Sequence, residues 1–260
     1  MKANFDAAAG NYDATFTNSV IGKLQRQLVY QHLTVILKKK KPQTILEVNC
    51  GTGEDAIWMA NQHYKVKATD ISKKMIDVAK SKIESENPSF KEVDINRLKE
   101  EFPIEKFDLL FSNFGGLNCL PKTEVSSFFK NASGLLNKKG IMVLVIMPKN
   151  TLWEQLYFLL KRDSEKAFRR QKDFVTADVD GEKVATYYYN PKDIVHLANT
   201  NFKIRQYNPI GLFVPPSYLE SFLKNKPRLI SVLNAGEQKI KNLSWLSKYA
   251  DHYIIVLQKK

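Results

Sequence analysis

The segment ILEVNCGTGEDA, Ile45 to Ala56, decides the fold. It begins as the end of an apolar strand, passes through an acid, Glu47, and then places Gly51 and Gly53 one residue apart before a helical pattern. A strand, a glycine-rich loop and a helix in this order are typical of the first turn of a nucleotide-binding α/β unit.

Outward from this segment, short apolar runs alternate with helical patterns. The strand patterns are TILEV, VKATD, FKEVDI, FDLLFSN and IMVLVIM, and helical patterns such as DAIWMANQ, SKKMIDVAKSKIE and EVSSFFKNASGLL lie between them. Such alternation predicts a parallel sheet covered on both faces. The run Ile141 to Met147 has no polar position, so we expect a central strand buried on both sides.

The carboxylate at the loop entrance argues against a phosphate ligand. A phosphate-binding turn directs backbone N–H groups and a helix dipole at an anion, and Glu47 would oppose this. The loop also lacks the Gly-Lys-Ser/Thr of a nucleoside-triphosphate site, and Asn49 stands where a dinucleotide loop has its first glycine. Asn visits the left-handed region more readily than other non-glycine residues, so it is tolerable there. A ligand with an ammonium group, a ribose and an adenine fits best, and S-adenosylmethionine is such a ligand.

The ends of the following strands support this ligand. Asp70 closes VKATD, 17 residues after Gly53, where a carboxylate can accept both ribose hydroxyls. FKEVDI ends in Asp94 followed by Ile95, which suits an adenine amino group beside an adenine face. FDLLFSNFGGLN finishes in small and amide residues that could face the methionyl end.

With these motifs the sequence resembles the class I S-adenosylmethionine-dependent methyltransferases, in their small-molecule branch. The resemblance covers about Ile45 to Met147, and FDAAAGNYDATF is similar to the amino-terminal segment that folds over the cofactor in that branch. It implies a Rossmann-like three-layer sandwich, with a seven-stranded, mostly parallel sheet whose last strand is antiparallel. NFKIRQYN and HYIIVLQ are the candidates for the final pair of strands. Asn49 departs from the family's usual glycine.

The resemblance also implies the cofactor contacts. Glu47, Gly51 and Gly53 would form the first motif, Asp70 and Ile71 the second, Asp94 and Ile95 the third, and Ser112 to Phe114 the fourth. Tyr12, in the amino-terminal cover, would shield or contact the cofactor. The pattern around Arg26 favours a solvated helix face, and contact with the cofactor's carboxylate is the alternative. The predicted cofactor-binding residues are Tyr12, Arg26, Glu47, Asn49, Gly51, Gly53, Asp70, Ile71, Met75, Asp94, Ile95, Asn113 and Phe114. The cofactor would leave as S-adenosylhomocysteine.

We expect one domain with four parts. They are an amino-terminal helical cover (1–41), a cofactor-binding core (42–147), an insertion that forms a lid (148–200), and the last two strands with a helical insertion (201–260). Within the first insertion, Asp180-Gly181 between two alternating runs predicts a hairpin, and Asn190 and Pro191 predict a capped helix.

The aromatic covers favour a small, largely hydrophobic or aromatic acceptor. Tyr188, Phe213 and Tyr218 are the predicted acceptor-binding residues, although such side chains more often build a core. A structural role is favoured for each of the four histidines, and among them His252 is the candidate general base, because an antiparallel last strand would begin near the active-site rim. We find no metal-ligand pattern and predict no metal.

The charge and composition of the chain limit the classes of partner that it can have. The chain has a net charge of +13; segments 1–41 and 201–260 carry +5 and +7, and 42–147 is neutral. A positive lid suggests an anionic acceptor or an acidic carrier protein. The first alternative is an RNA or tRNA methyltransferase that uses the basic ends to bind phosphates. Against it, SNFG is not the Asn/Asp-Pro-Pro-aromatic motif of amino-methylating base enzymes. The second alternative is a non-catalytic cofactor-binding protein. Neither a signal sequence nor a membrane span is recognisable, which predicts a cytoplasmic protein.

Overall fold

In a computed structural model, which describes residues 5–179 and 181–260, the alternating pattern forms a sheet of seven strands. These strands are β1 (Thr44–Val48), β2 (Lys65–Asp70), β3 (Ser89–Glu92), β4 (Phe107–Ser112), β5 (Leu136–Ile146), β8 (Phe202–Ile210) and β9 (His252–Lys259). A separate hairpin consists of β6 (Val175–Val179) and β7 (Glu182–Thr186). The sheet has the order β3-β2-β1-β4-β5-β9-β8, with β9 antiparallel to both of its neighbours. The predicted fold class and the predicted final pair of strands are confirmed.

Helices cover the sheet and extend beyond it. They are α1 (Val20–Lys40), α2 (Glu54–Asn61), α3 (Lys73–Ser81), α4 (Leu98–Glu101), α5 (Lys122–Leu135), α6 (Leu152–Leu160), α7 (Ser164–Ala167), α8 (Pro191–Ala198), α9 (Glu220–Leu223) and α10 (Pro227–Ile240). Asn190 caps α8 in a reciprocal capping box with Pro191 in the first turn, as the sequence predicts. The predicted hairpin is present with Gly181 at φ 89°, whereas Asp180 lies outside the described residues.

Two apolar layers enclose the central strands. Along β5 the side chains alternate between them, so that Ile141 and Val143 face the layer of α1 and α2, and Met142 and Leu144 face that of α5 and α8. Every residue from Ile141 to Ile146 is buried. This arrangement explains why the run contains no polar residue, and it confirms the predicted central strand.

The strand order reverses next to β1, which has β2 on one side and β4 on the other. The loops after β1 and β4 therefore diverge and leave a crevice at the carboxyl edge of the sheet. The structure corrects one boundary on that edge. Because β3 ends at Glu92, Asp94 does not close the strand and instead caps the turn Ile95–Arg97 by accepting the Asn96 N–H at 2.9 Å.

The buried imidazole of His32 on α1 gives the fold a pH dependence. Burial, with a contribution from Lys241, lowers the pKa of His32 from 6.5 to about 4. The unfolded chain therefore takes up this proton first, so the free energy of unfolding falls as the pH falls from about 6.5 toward 4, by up to about 3 kcal/mol from this group.

We expect His32→Asn to flatten that part of the stability profile. Urea unfolding between pH 4.5 and 7.5 measures it, with His63→Asn on an exposed turn as the matched control. If the free energy of unfolding depends on pH in both variants as it does in the parent chain, the His32 imidazole is not the group responsible for that dependence.

Candidate functional site

The loop after β1 has a backbone that few residues can adopt. Asn49, Gly51 and Gly53 have φ angles of 56°, 52° and 79°, and Asn49 therefore occupies the left-handed region expected for it. A Cβ atom on Gly53 would lie 2.6 Å from the Phe90 ring, so this glycine is required both by its angle and by the close approach of β3.

A carboxylate from the neighbouring strand fixes this loop. Asp70 ends β2, and its Oδ2 accepts the Gly51 N–H at 2.8 Å while its Oδ1 accepts the Ser72 N–H at 2.9 Å. Each carboxylate oxygen has a second lone pair, so both can accept a further hydrogen bond from a ligand hydroxyl. Burial raises the pKa of Asp70 despite these backbone donors.

The crevice contains a cavity of about 580 Å³, within the range of small-molecule sites. Most of the predicted cofactor-binding residues lie on its wall: Tyr12, Arg26, Asn49, Gly51, Asp70, Ile71, Met75, Asp94, Ile95, Asn113 and Phe114. The walls thus combine carboxylates with the apolar residues Ile71, directly after β2, and Ile95, in the turn beyond β3. The structure brings these side chains together from the segments after β1, β2, β3 and β4 and from the amino-terminal cover with α1.

Glu47 lies beneath the loop and not on the cavity wall. Its side chain is buried and its Oε2 has no hydrogen-bond partner within the described residues. Burial, followed by the nearby Asp55 carboxylate, raises the pKa of Glu47 well above its ordinary value. A cation in the adjoining cavity would favour its ionised form, but a direct contact with an ammonium group stays a prediction.

A buried network that the motifs did not predict surrounds Asp55 at the start of α2. Its Oδ1 accepts from Arg26 Nη1 at 3.0 Å and from the Tyr30 hydroxyl at 2.8 Å, and its Oδ2 accepts from Asn113 Nδ2 at 2.9 Å. Arg26 is thus no part of a solvated face, and its Nε is buried without a partner among the described residues. In sequence, Asp55 resembles an ordinary acid in a first helical turn, which is why pattern alone missed it.

The amino-terminal cover is fastened to two cofactor loops. The Thr52 hydroxyl donates to Asp13 at 2.6 Å, and the Ser72 hydroxyl donates to Asp6 at 2.5 Å. Asp13 also pairs with Lys82 of the segment after α3 at 2.5 Å. Tyr12 is thereby held on the cavity wall, where burial raises its pKa to about 12, so its hydroxyl remains protonated at neutral pH.

The hairpin of β6 and β7 closes the cavity from the other side. Phe174, Thr176, Lys183, Ala185 and Tyr187 lie on the cavity wall. At the tip, Val179 packs against the apolar cluster that Ala8 and Ala9 of the amino-terminal cover form with Met75. Neither Lys183 nor Cys119, which also lines the cavity, was predicted from sequence.

The remaining predicted residues lie off the cavity wall. His252 is buried behind Phe114, with the two rings edge to face at 5.4 Å, and its Nδ1 lies 3.2 Å from Asp251 Oδ2. Tyr188 is buried under the Arg170 guanidinium, whereas Phe213 and Tyr218 lie at the protein surface. Their catalytic and acceptor-binding roles stay predictions.

The cavity fits the cofactor that the sequence predicts. The Asp70 carboxylate lies at the end of β2, where a ribose would bind, and the Asp94 carboxylate lies just beyond β3, where an adenine would bind. Apolar side chains flank both. Arg26 and Asn113 also line the cavity, and a guanidinium and an amide can both donate to a carboxylate. A wall that contains several carboxylates and an arginine suits a ligand that carries both a cation and a carboxylate.

Comparisons with known proteins agree with this geometry. Residues 45–140 match the family model described as a methyltransferase domain. The chain is 28% identical over 166 residues to a demethylmenaquinone methyltransferase of Bacillus licheniformis, covering 61% of this chain and 68% of that protein. It is 31% identical over 157 residues to a malonyl-[acyl-carrier protein] O-methyltransferase of Paenibacillus sp., covering 57% of this chain and 54% of that protein.

Solved structures share the fold at low sequence identity. A magnesium protoporphyrin IX methyltransferase from Synechocystis with bound S-adenosylhomocysteine superposes with a TM-score of 0.58 at 15% identity, covering 93% of this chain and 88% of that one. An S-adenosylmethionine-dependent methyltransferase from Clostridium acetobutylicum gives a TM-score of 0.60 at 14% identity, covering 96% of both chains.

The Asp70 carboxylate provides the test of the site. We expect Asp70→Ala to weaken binding of both S-adenosylmethionine and S-adenosylhomocysteine by about 2–3 kcal/mol, the range for hydrogen bonds to a charged group. Asp70→Asn keeps one acceptor for the loop and should lose less. Titration calorimetry measures both, with Asp77→Ala on the exposed side of α3 as the control. Unchanged affinity in Asp70→Ala would exclude this residue as a ligand contact.

Proposed function

Because the chain belongs to the class I S-adenosylmethionine-dependent methyltransferases, we propose that it transfers the methyl group to a small, largely hydrophobic or aromatic acceptor bound beneath the β6–β7 hairpin. The observation that carries this proposal is the shared cavity. One part of its wall comes from the strand ends that suit the cofactor, and another comes from the hairpin. A donor and an acceptor can therefore meet inside one cavity.

The residues of this chain would act mainly by position. The cofactor supplies an electrophilic methyl group on a sulfonium. Asp70 and Asp94 would hold its nucleoside end, and Arg26, oriented by Asp55, would hold the methionyl carboxylate. Phe114 and the hairpin would exclude water, and alignment in a dry cavity supplies much of the rate enhancement of such transfers.

Lys183 supports an acceptor that carries a negative charge. It projects from β7 to the cavity wall, and within the described residues it forms no ion pair. A cation there would attract a carboxylate and fix its orientation. The relative that methylates malonyl-[acyl-carrier protein] acts on an acceptor presented by a protein, and we extend this class of acceptor to the present chain.

Transfer of labelled methyl groups tests the function. The chain is incubated with methyl-labelled S-adenosylmethionine and two acceptor panels, namely acidic thioesters on acyl carrier protein and neutral phenols or quinols. Label in either panel supports methyl transfer. Cofactor binding without label in either panel or in a fractionated extract would favour the non-catalytic alternative.

Charge reversal at Lys183 separates the two acceptor classes. We expect Lys183→Glu to raise KM for an acidic acceptor about tenfold with kcat little changed, because a charged contact contributes about 1–2 kcal/mol at a partly exposed site. Neutral acceptors should be unaffected. Lys192→Glu on the exposed side of α8 is the matched control. Equal KM values for Lys183→Glu and the control would refute a charge-reading role for Lys183.

A further inference from the structure

Helix α6 is inverted with respect to an ordinary amphipathic helix. Its sequence is LWEQLYFLL, yet the one residue that is fully buried is Glu154, with 1% of its surface exposed. Leu156 and Leu160 point to solvent with 58% and 85% exposed. A surface helix normally buries its leucines and exposes its acids, so the exposed apolar side calls for a physical reason.

Ion pairs hold α6 in this orientation. Glu154 accepts from Arg169 Nε at 2.6 Å and from Arg170 Nε at 3.0 Å, and Arg170 continues to Asp251 Oδ1 at 3.0 Å. The helix is thus anchored to the start of β9 by buried charges. Its leucines take no part in this anchoring.

The apolar surface continues onto the segment before α9. The Tyr218 ring contacts the rings of Tyr157 and Phe158 on α6, with centroids 5.9 and 6.4 Å apart. Phe222 follows Tyr218 by one turn and is also exposed. We define the basic-apolar face by the exposed apolar residues Leu156, Leu159, Leu160, Tyr218 and Phe222 and the cations beside them, Lys161, Arg162, Lys224, Lys226 and Arg228.

The acids of α9 and α10 are turned inward, and the nearby Asp163 and Glu165 are paired with Lys166 and Lys172, which leaves the face cationic. Glu220 accepts the N–H groups of Val20 and Ile21 at 2.8 and 2.9 Å. Glu237, the buried side chain of α10, accepts four backbone N–H groups from residues 211–214 at 2.7–3.2 Å. Among the described residues, Lys224, Lys226 and Arg228 form no ion pair.

From this arrangement we propose that the basic-apolar face docks onto an anionic lipid bilayer. Leucine and phenylalanine interleaved with lysine and arginine is the composition of helices that lie in a membrane interface. Protein interfaces are instead depleted of lysine. The net charge of +13 adds long-range attraction to an anionic surface. Within the described residues, the helices are too short or too polar to cross a bilayer, so the contact would be peripheral.

Vesicle flotation tests this docking. The full chain is mixed with vesicles of phosphatidylcholine alone or with an equal part of phosphatidylglycerol, without cofactor or acceptor, so the outcome does not depend on the proposed methyl transfer. We expect binding only to the anionic vesicles, weakening as salt rises. Each of Lys224→Gln, Lys226→Gln and Arg228→Gln should weaken binding about fivefold.

Apolar variants complete the experiment. Leu156→Glu, Leu160→Glu and Phe222→Glu should each lower binding at least about tenfold, because they replace an inserted side chain with an anion. Ile104→Glu, at a residue that is 88% exposed before β4, is the matched control and should bind like the parent chain. Thermal unfolding confirms that each variant is folded, since an exposed position contributes little to the core.

Three results would overturn the proposal. One is a parent chain that binds neither kind of vesicle, and another is a set of face variants that bind like the parent. The third is a chain that does not bind vesicles but self-associates in sedimentation, or binds an acidic carrier protein, through the same residues. The face would then be an interface with a second copy or with that protein.

Discussion

One hydrogen bond from a side chain to the backbone organises the site. The Asp70 carboxylate at the end of β2 accepts the N–H of Gly51, which lies in the loop after the neighbouring strand. It fixes a loop with three positive φ angles, and the loop in turn sets the start of α2 and thus the position of Asp55. Arg26, Tyr30 and Asn113 then converge on Asp55, so the far wall of the cavity also depends on this contact.

The fold could be predicted because its signals are local and repeat at fixed spacing. An apolar run such as Ile141–Ile146 is typical of a strand buried on both faces, and five strand patterns separated by helical patterns leave few topologies. The positive φ of Asn49 was predictable for the same reason, since backbone geometry restricts the residue type. Most of the predicted residues that lie on the cavity wall could be found in the same way, because they occur at or near the ends of strands that sequence patterns locate.

The rest of the site depends on contacts between distant segments. Arg26 and Asp55 are 29 residues apart, and the Arg26 side chain could equally well have faced solvent in a helix that carries many cations. Lys183 reaches the cavity only because the hairpin folds back over it. The outward orientation of the α6 leucines could not be predicted either, since the sequence pattern of α6 does not show that Arg169 and Arg170 bind Glu154. Ion pairs between elements override the periodicity on which sequence prediction relies.

Anchoring by buried glutamates separates two properties that most surface helices combine. In an ordinary amphipathic helix the apolar side chains both hold the helix in place and determine its surface, so substitutions there reduce stability. In α6, Glu154 supplies the attachment, and in α10 Glu237 shares it with Ile230 and Leu233, so the outward-facing leucines and valines of both helices do not hold them in place. Natural variation can therefore change the outer surface of these helices, and with it what the protein adheres to, while the fold and the cavity beneath remain intact.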